Sequence, residues 1–142
     1  VLNKFEVFKA FQFRHNKAVT GKMGRLRDTR PYESYPYDFP NGIVHVYVVD
    51  ESSAEFPVGL HSHLRKVEIM MAVLGEITID LVTSPDGATH QVVLNGREQE
   101  ALLIRPGTWH KVTIPEGCIL MVMSSTRYEG KDDDFTEVPT GK

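Results

Sequence analysis

The hydrophobic positions of this chain fall into short, β-branched runs with a period nearer two than 3.6, and turn residues separate the runs. Beyond Asp38 the runs cover 43–49, 67–74, 77–82, 90–94, 101–104, 109–114 and 119–124. Between them stand Asn41-Gly42, Ser84-Pro85-Asp86-Gly87, Asn95-Gly96, Pro106-Gly107 and Pro115-Glu116-Gly117, all combinations that reverse a chain. The series predicts an all-β domain, a small antiparallel barrel or jelly roll. The segment 6–13, EVFKAFQF, fits both periods poorly and is assigned to a strand. The stretch 31–40, PYESYPYDFP, holds too much proline for a regular helix or a central strand, so a loop or arm is expected there. Its aromatic rings are expected to pack across the barrel or on a partner subunit, ahead of stacking on a sugar or base.

A length of 142 residues suits one domain, divided here into an N-terminal strand and arm over 1–40, a barrel core over 41–128 and an acidic tail over 129–142. A hydrophobic fraction of 41% with 25% charged residues is that of an ordinary soluble protein. A net charge of -3 gives no general attraction to nucleic acid. The basic residues before position 30 and the acidic run over 129–137 read as solvated surface. The one cysteine, Cys118, excludes an internal disulfide and sits in the apolar run CILMVM, which predicts a buried, inert thiol and fits a cytoplasmic location. No apolar stretch reaches membrane-spanning length, and VLNKFEVFK has no signal-peptide core.

The candidate chemistry lies in histidines. Gly59-Leu60-His61-Ser62-His63 is followed after four residues by Glu68, and six residues later by Gly75. On an extended strand His61 and His63 share a face and Ser62 takes the other. A hairpin bend around Leu64-Arg65 is expected to return the Glu68 carboxylate over the two imidazoles. Downstream, Arg105-Pro106-Gly107-Thr108-Trp109-His110 is a tight turn feeding a strand that delivers His110 to the same interior. Three imidazoles and a carboxylate suit a divalent first-row metal with positions left open. Without metal they supply a general base near neutral pH and donors for an enolate oxygen.

His-x-His, then Glu68 and Gly75, then Pro-Gly-Thr-Trp-His resembles the paired motifs of the cupin superfamily, which implies a single-domain cupin. A narrower resemblance runs through HVYVVD, VGLHSHLRKVE, LNGREQEALLIRPGTWHKV and MVMSSTRYEGKDDDF. In order and spacing these are similar to the WxcM-like 3,4-ketoisomerases of nucleotide-linked 4-keto-6-deoxyhexoses. That resemblance implies that His61 and His63 form the proton-transfer pair, that Tyr47 is an active-site phenol, that Trp109 and His110 belong to the wall, and that no metal is required. Arg25, Arg27 and Arg30 are the candidates for a basic residue that meets a diphosphate near the N-terminus. Glu68 departs from the pattern, since the family usually has glutamine there, and it restores a metal-type quartet of His61, His63, Glu68 and His110. Ureidoglycolate lyase-like cupins share a histidine, a later polar residue and a Gly-x-Trp-His element at comparable spacing.

Three functions therefore stand side by side. The first is an isomerase that moves a proton between adjacent carbons of a keto-sugar, cofactor-free and homodimeric. The second is a metal-dependent lyase or dioxygenase using the quartet. The third is a small-molecule-binding cupin without turnover. Tyr47 and His45 alternate with Val46 and Val48 and face the interior if the valines face out. Trp109 neighbours His110 and is expected on the opposite face, in packing. Met70, Met71, Met121 and Met123 read as core, and His15 and His90 as surface.

Overall fold

The computed structural model describes residues 3–9, 12–15, 25–28, 31–50, 57–98, 100–127 and 134–141, with 12–15, 25–28, 31–32 and 134 described in backbone only. The strands, in chain order, are β1 (Phe5–Lys9), β2 (Gln12–His15), β3 (Arg25–Asp28), β4 (His45–Asp50), β5 (Val58–His63) and β6 (Glu68–Leu74). They continue with β7 (Glu76–Thr83), β8 (Thr89–Asn95), β9 (Glu100–Ile104), β10 (Thr108–Thr113), β11 (Ile119–Ser124) and β12 (Asp134–Phe135). A single helical turn, α1 (Pro31–Ser34), precedes β4. That turn departs from the loop expected over 31–40, and the reason is local: proline is tolerated at the first helical position, where its missing N–H has no partner to lose.

The strands pair antiparallel into two five-stranded sheets, β1-β9-β6-β11-β4 and β12-β5-β10-β7-β8, with β2 and β3 forming a separate hairpin. The result is an all-β jelly-roll architecture. Alternation decides what each strand buries. Ile77, Ile79 and Leu81 of β7 point inward with Leu94 and Val112, and they meet Met70, Leu102, Ile104, Leu120 and Val122 from the first sheet. Each such side chain contributes about 1.5–3 kcal/mol relative to exposure.

The first sheet is covered on its outer face too. Phe39 and Tyr35 from the proline-rich arm pack with Ile69, Met71, Ala101 and Leu103, which explains why β6 and β9 read as continuous apolar runs and not as alternations. The arm is fastened by Arg105, whose guanidinium donates to Asp38 Oδ1 and Oδ2, each at 3.0 Å, and to the Asn3 carbonyl at 2.6 Å. Among the described residues, no helix is long and apolar enough to cross a membrane.

The path from His63 to Glu68 differs from the expected hairpin. β5 lies in the second sheet and β6 in the first, so residues 64–67 cross between the sheets. The carboxylate reaches the imidazoles from the facing wall.

Candidate active site

One irregularity aims the histidines. His61 pairs with His110, but Lys111 pairs with Gly59, so Leu60 is an extra residue in β5 and forms a β-bulge. Gly59 and Leu60 both take left-handed backbone, at φ +85° and +61°. A side chain at Gly59 would place its Cβ 2.9 Å from the His110 carbonyl oxygen, so only glycine lets β5 and β10 approach here. Beyond the bulge, strict alternation turns His61 and His63 toward the first sheet and Ser62 away from it.

The second sheet thus contributes three imidazoles, with ring centroids 4.4 Å apart for His61 and His63, 4.8 Å for His61 and His110, and 5.4 Å for His63 and His110. The first sheet contributes Glu68 and Tyr47. Glu68 Oε1 lies 2.8 Å from His63 Nε2 and 3.4 Å from His110 Nε2, while Oε2 accepts from the Tyr47 hydroxyl at 3.1 Å. His110 Nδ1 lies 3.0 Å from the Thr108 carbonyl, which can only accept, so Nδ1 carries a proton and Nε2 is turned toward Glu68.

Depth separates these groups. His110 is 1% exposed, Glu68 2% and His63 4%, whereas His61 is only half-buried. His61 is the most exposed of the three imidazoles. Burial alone would push the Glu68 carboxyl up, but contacts from His110 and His63, and their positive charge when protonated, hold it well below the usual carboxylate range. The group is an anion at neutral pH.

Two further inward residues complete this wall. His45 and Tyr47 alternate with Val46 and Val48, which are 49% and 57% exposed, so the interior side expected for them is the side they take. Their rings lie 5.4 Å apart. Ser124, which the sequence reading did not single out, stands opposite both His45 and Glu68 in the strand register. Its side chain is fully buried and its hydroxyl has no hydrogen-bond partner among the described residues. The available signal was its phase, two residues beyond inward-facing Val122.

Trp109 is not part of this group. It faces the opposite side of β10 from His110, and its indole N–H donates to the Thr136 carbonyl at 3.3 Å. Arg25 and Arg27 lie on β3 opposite His15 and Phe13, with side chains outside the described residues, and Arg30 lies wholly outside them. His90 is exposed and touches the Phe5 ring edge-on, and Cys118 is buried.

A buried carboxylate bridging a phenol and two imidazoles, with a third imidazole toward solvent, is an arrangement for moving protons. Comparisons with known proteins agree with that reading. Residues 19–138 match the family model described as FdtA: WxcM-like, C-terminal. The TDP-4-oxo-6-deoxy-alpha-D-glucose-3,4-oxoisomerase of Aneurinibacillus thermoaerophilus is 25% identical over 96 residues, covering 67% of each chain. Among solved structures, a double mutant of the QdtA 3,4-ketoisomerase from Thermoanaerobacterium thermosaccharolyticum, in complex with TDP, superposes with a TM-score of 0.74 at 25% identity, covering 96% of this chain and 90% of that one. The dTDP-6-deoxy-D-glucose-3,5-epimerase RmlC from Legionella pneumophila shares the fold at a TM-score of 0.72 and 12% identity, over 94% of this chain and 72% of that one.

Proposed function

The chain belongs to the FdtA family of WxcM-like C-terminal domains, and from that premise we propose that it is an isomerase of a nucleotide-linked keto-sugar, interconverting 4-keto and 3-keto forms. The observation that carries the proposal is the pairing of His61 and His63 on one face, 4.4 Å apart, against Glu68 and Tyr47.

The chemistry follows from acidity. The hydrogen on the carbon next to a ketone is acidic because the electron pair left behind delocalises onto the carbonyl oxygen. His61, the half-buried imidazole, removes that hydrogen from C3, and the oxygen on C4 takes a proton, giving an enediol. The hydroxyl on C3 then gives up its proton, C4 gains one, and the ketone stands at C3. One proton has left C3 and one has reached C4, with no net redox change. His63 relays protons behind His61, and the Glu68 anion favours its protonated form. We assign Tyr47 to the oxygens, its hydroxyl exchanging Glu68 for the substrate on binding, since a developing oxyanion needs a hydrogen-bond donor. His45 lines the same wall, and Arg25 or Arg27 is the proposed partner of the diphosphate.

The test is direct conversion. Purified, tag-free protein given TDP-4-oxo-6-deoxy-α-D-glucose should yield the 3-oxo isomer by NMR. Unchanged substrate after prolonged incubation at high enzyme concentration overturns the reading.

A second reading is favoured by one observation: donor atoms of His61, His63, Glu68 and His110 all lie within 4.8 Å of one another. Three imidazole nitrogens and one carboxylate oxygen fit a divalent transition metal, and the Thr108 carbonyl fixes His110 with its Nε2 toward the site, as second-shell partners of metal ligands do. Such an ion would polarise a substrate carbonyl as a Lewis acid. Metal analysis of protein purified without nickel or a His-tag separates the readings. One equivalent of metal, lost with activity on Glu68→Ala, favours the metal enzyme.

The proposal extends to a cytoplasmic homodimer. Support for the dimer is that β4 ends its sheet among the described residues, with Val46 and Val48 turned outward on it. Sedimentation measures the state.

A further inference from the structure

The C-terminal segment 134–141 does more than trail from the barrel. β12 pairs with the edge of β5, Asp134 opposite His63 and Phe135 opposite Ser62. The pairing of β5 with β10 runs as far as His61, and at the next two residues the backbone meets β12 and the Gly107 N–H, which donates to the His63 carbonyl at 2.9 Å. Next, the Thr136 carbonyl accepts from the indole of Trp109, the residue adjoining His110. The segment then ends against the β7–β8 turn, where backbone meets backbone. A Cβ on Gly141 would lie 2.5 Å from the Asp86 carbonyl oxygen, and one on Gly87 would lie 2.7 Å from the Gly141 nitrogen. Both glycines take positive φ, +77° and +68°. The turn itself is stiffened by Asp86, which accepts from the Thr83 hydroxyl at 2.6 Å and the Ala88 N–H at 3.2 Å.

We propose that residues 134–141 form a positioning strap for His63 and His110, clipped at one end by the Gly141–Gly87 contact and at the other by β12, with the Trp109 indole as its middle fastening. The strap reaches the site from the β5 edge and the outer face of the second sheet. It fixes the backbone that carries one imidazole and, from the other face of β10, the side chain of the residue that precedes the second. It also walls a groove of about 610 Å³ lined by Ser62, His63 and Leu64, so its displacement bares this end of β5. Preorganised proton transfer is sensitive to such shifts: a misplacement of about 1 Å costs on the order of a hundredfold in rate.

The catalytic half of this inference rests on the isomerase reading, and the structural half does not. Two chains test it, one ending at residue 133 and one full-length with Gly141→Ala. Trp109 is the single tryptophan, so its indole N–H resonance and emission report the strap without ambiguity. In both chains the indole resonance should move toward that of a free N–H, and the His63 and His110 side-chain resonances should shift with it. With TDP-4-oxo-6-deoxy-α-D-glucose, kcat should fall about 10- to 100-fold while KM changes by less than about threefold. An indole that signals release while both imidazole resonances and kcat stay at their full-chain values overturns the proposal. If the shortened chain does not fold, the Gly141→Ala chain decides by the same readings. If the unaltered protein shows no turnover, the isomerase reading fails, and the imidazole shifts still decide the strap.

Discussion

Glu68 holds the site together at the scale of single residues, because one carboxylate joins Tyr47, His63 and His110. Glu68→Ala leaves a buried phenol and two imidazoles facing one another, and unfolding in denaturant should register a loss of about 3 kcal/mol, typical of breaking a buried charged pair. The sign of its pH dependence follows from its depressed ionisation. The folded protein holds the carboxyl well below the ordinary value of 4.5, so the anion's stabilisation is complete above that pH and is lost as pH falls toward the folded-state value. Acid unfolding curves should show this loss in the unaltered protein and a shallower acid limb in Glu68→Gln. At the half-buried imidazole, His61→Asn should lower kcat by about 10²–10⁴-fold, the usual worth of a general base, with thermal stability little changed. His63→Asn should cost both rate and stability, because its ring is buried against Glu68.

At the scale of elements, the bulge in β5 is what turns a sequence motif into a site. Gly59→Ala forces a side chain into the His110 carbonyl and into left-handed backbone, and the expected cost is about 1–3 kcal/mol, with His61 turned off its line. Calorimetry beside a turnover assay checks both halves. Nothing in Gly59-Leu60 announces this bulge, since a glycine before His-x-His serves equally well as a plain turn residue. The shared face of His45 and Tyr47, and that of His61 and His63, was legible from alternation, whereas alternation left open whether His45 and Tyr47 point inward, and only the family resemblance favoured it for Tyr47. Glu68 was harder to place. β6 is buried on both faces, so alternation carries no direction there, and a crossover between sheets leaves the same mark in sequence as a hairpin. β12 hid in the acidic run because two residues of pairing make no hydrophobic pattern. The helical turn at Pro31 hid behind prolines that also suit a loop.

Across the whole molecule, the site exists only where the two sheets face each other: one brings His61, His63 and His110, the other Glu68, Tyr47, His45 and Ser124. Their spacing depends on what braces the outside. Arg105 ties β9 to the arm through Asp38 and to the N-terminal strand through Glu6, with Nη2 3.1 Å from the Glu6 carboxylate. Arg105→Ala should therefore lower stability by about 3 kcal/mol in thermal unfolding, since two carboxylates lose their partner. The cleft is proposed to move a proton between adjacent sugar carbons, and running the reaction in deuterated water tests this most directly. With TDP-4-oxo-6-deoxy-α-D-glucose, the expected result is loss of the C3 proton signal and appearance of the 3-oxo isomer, both slowed about 10²–10⁴-fold in His61→Asn. A retained C3 proton, or exchange at C3 and C5 with no 3-oxo isomer as a 3,5-epimerase would produce, contradicts it.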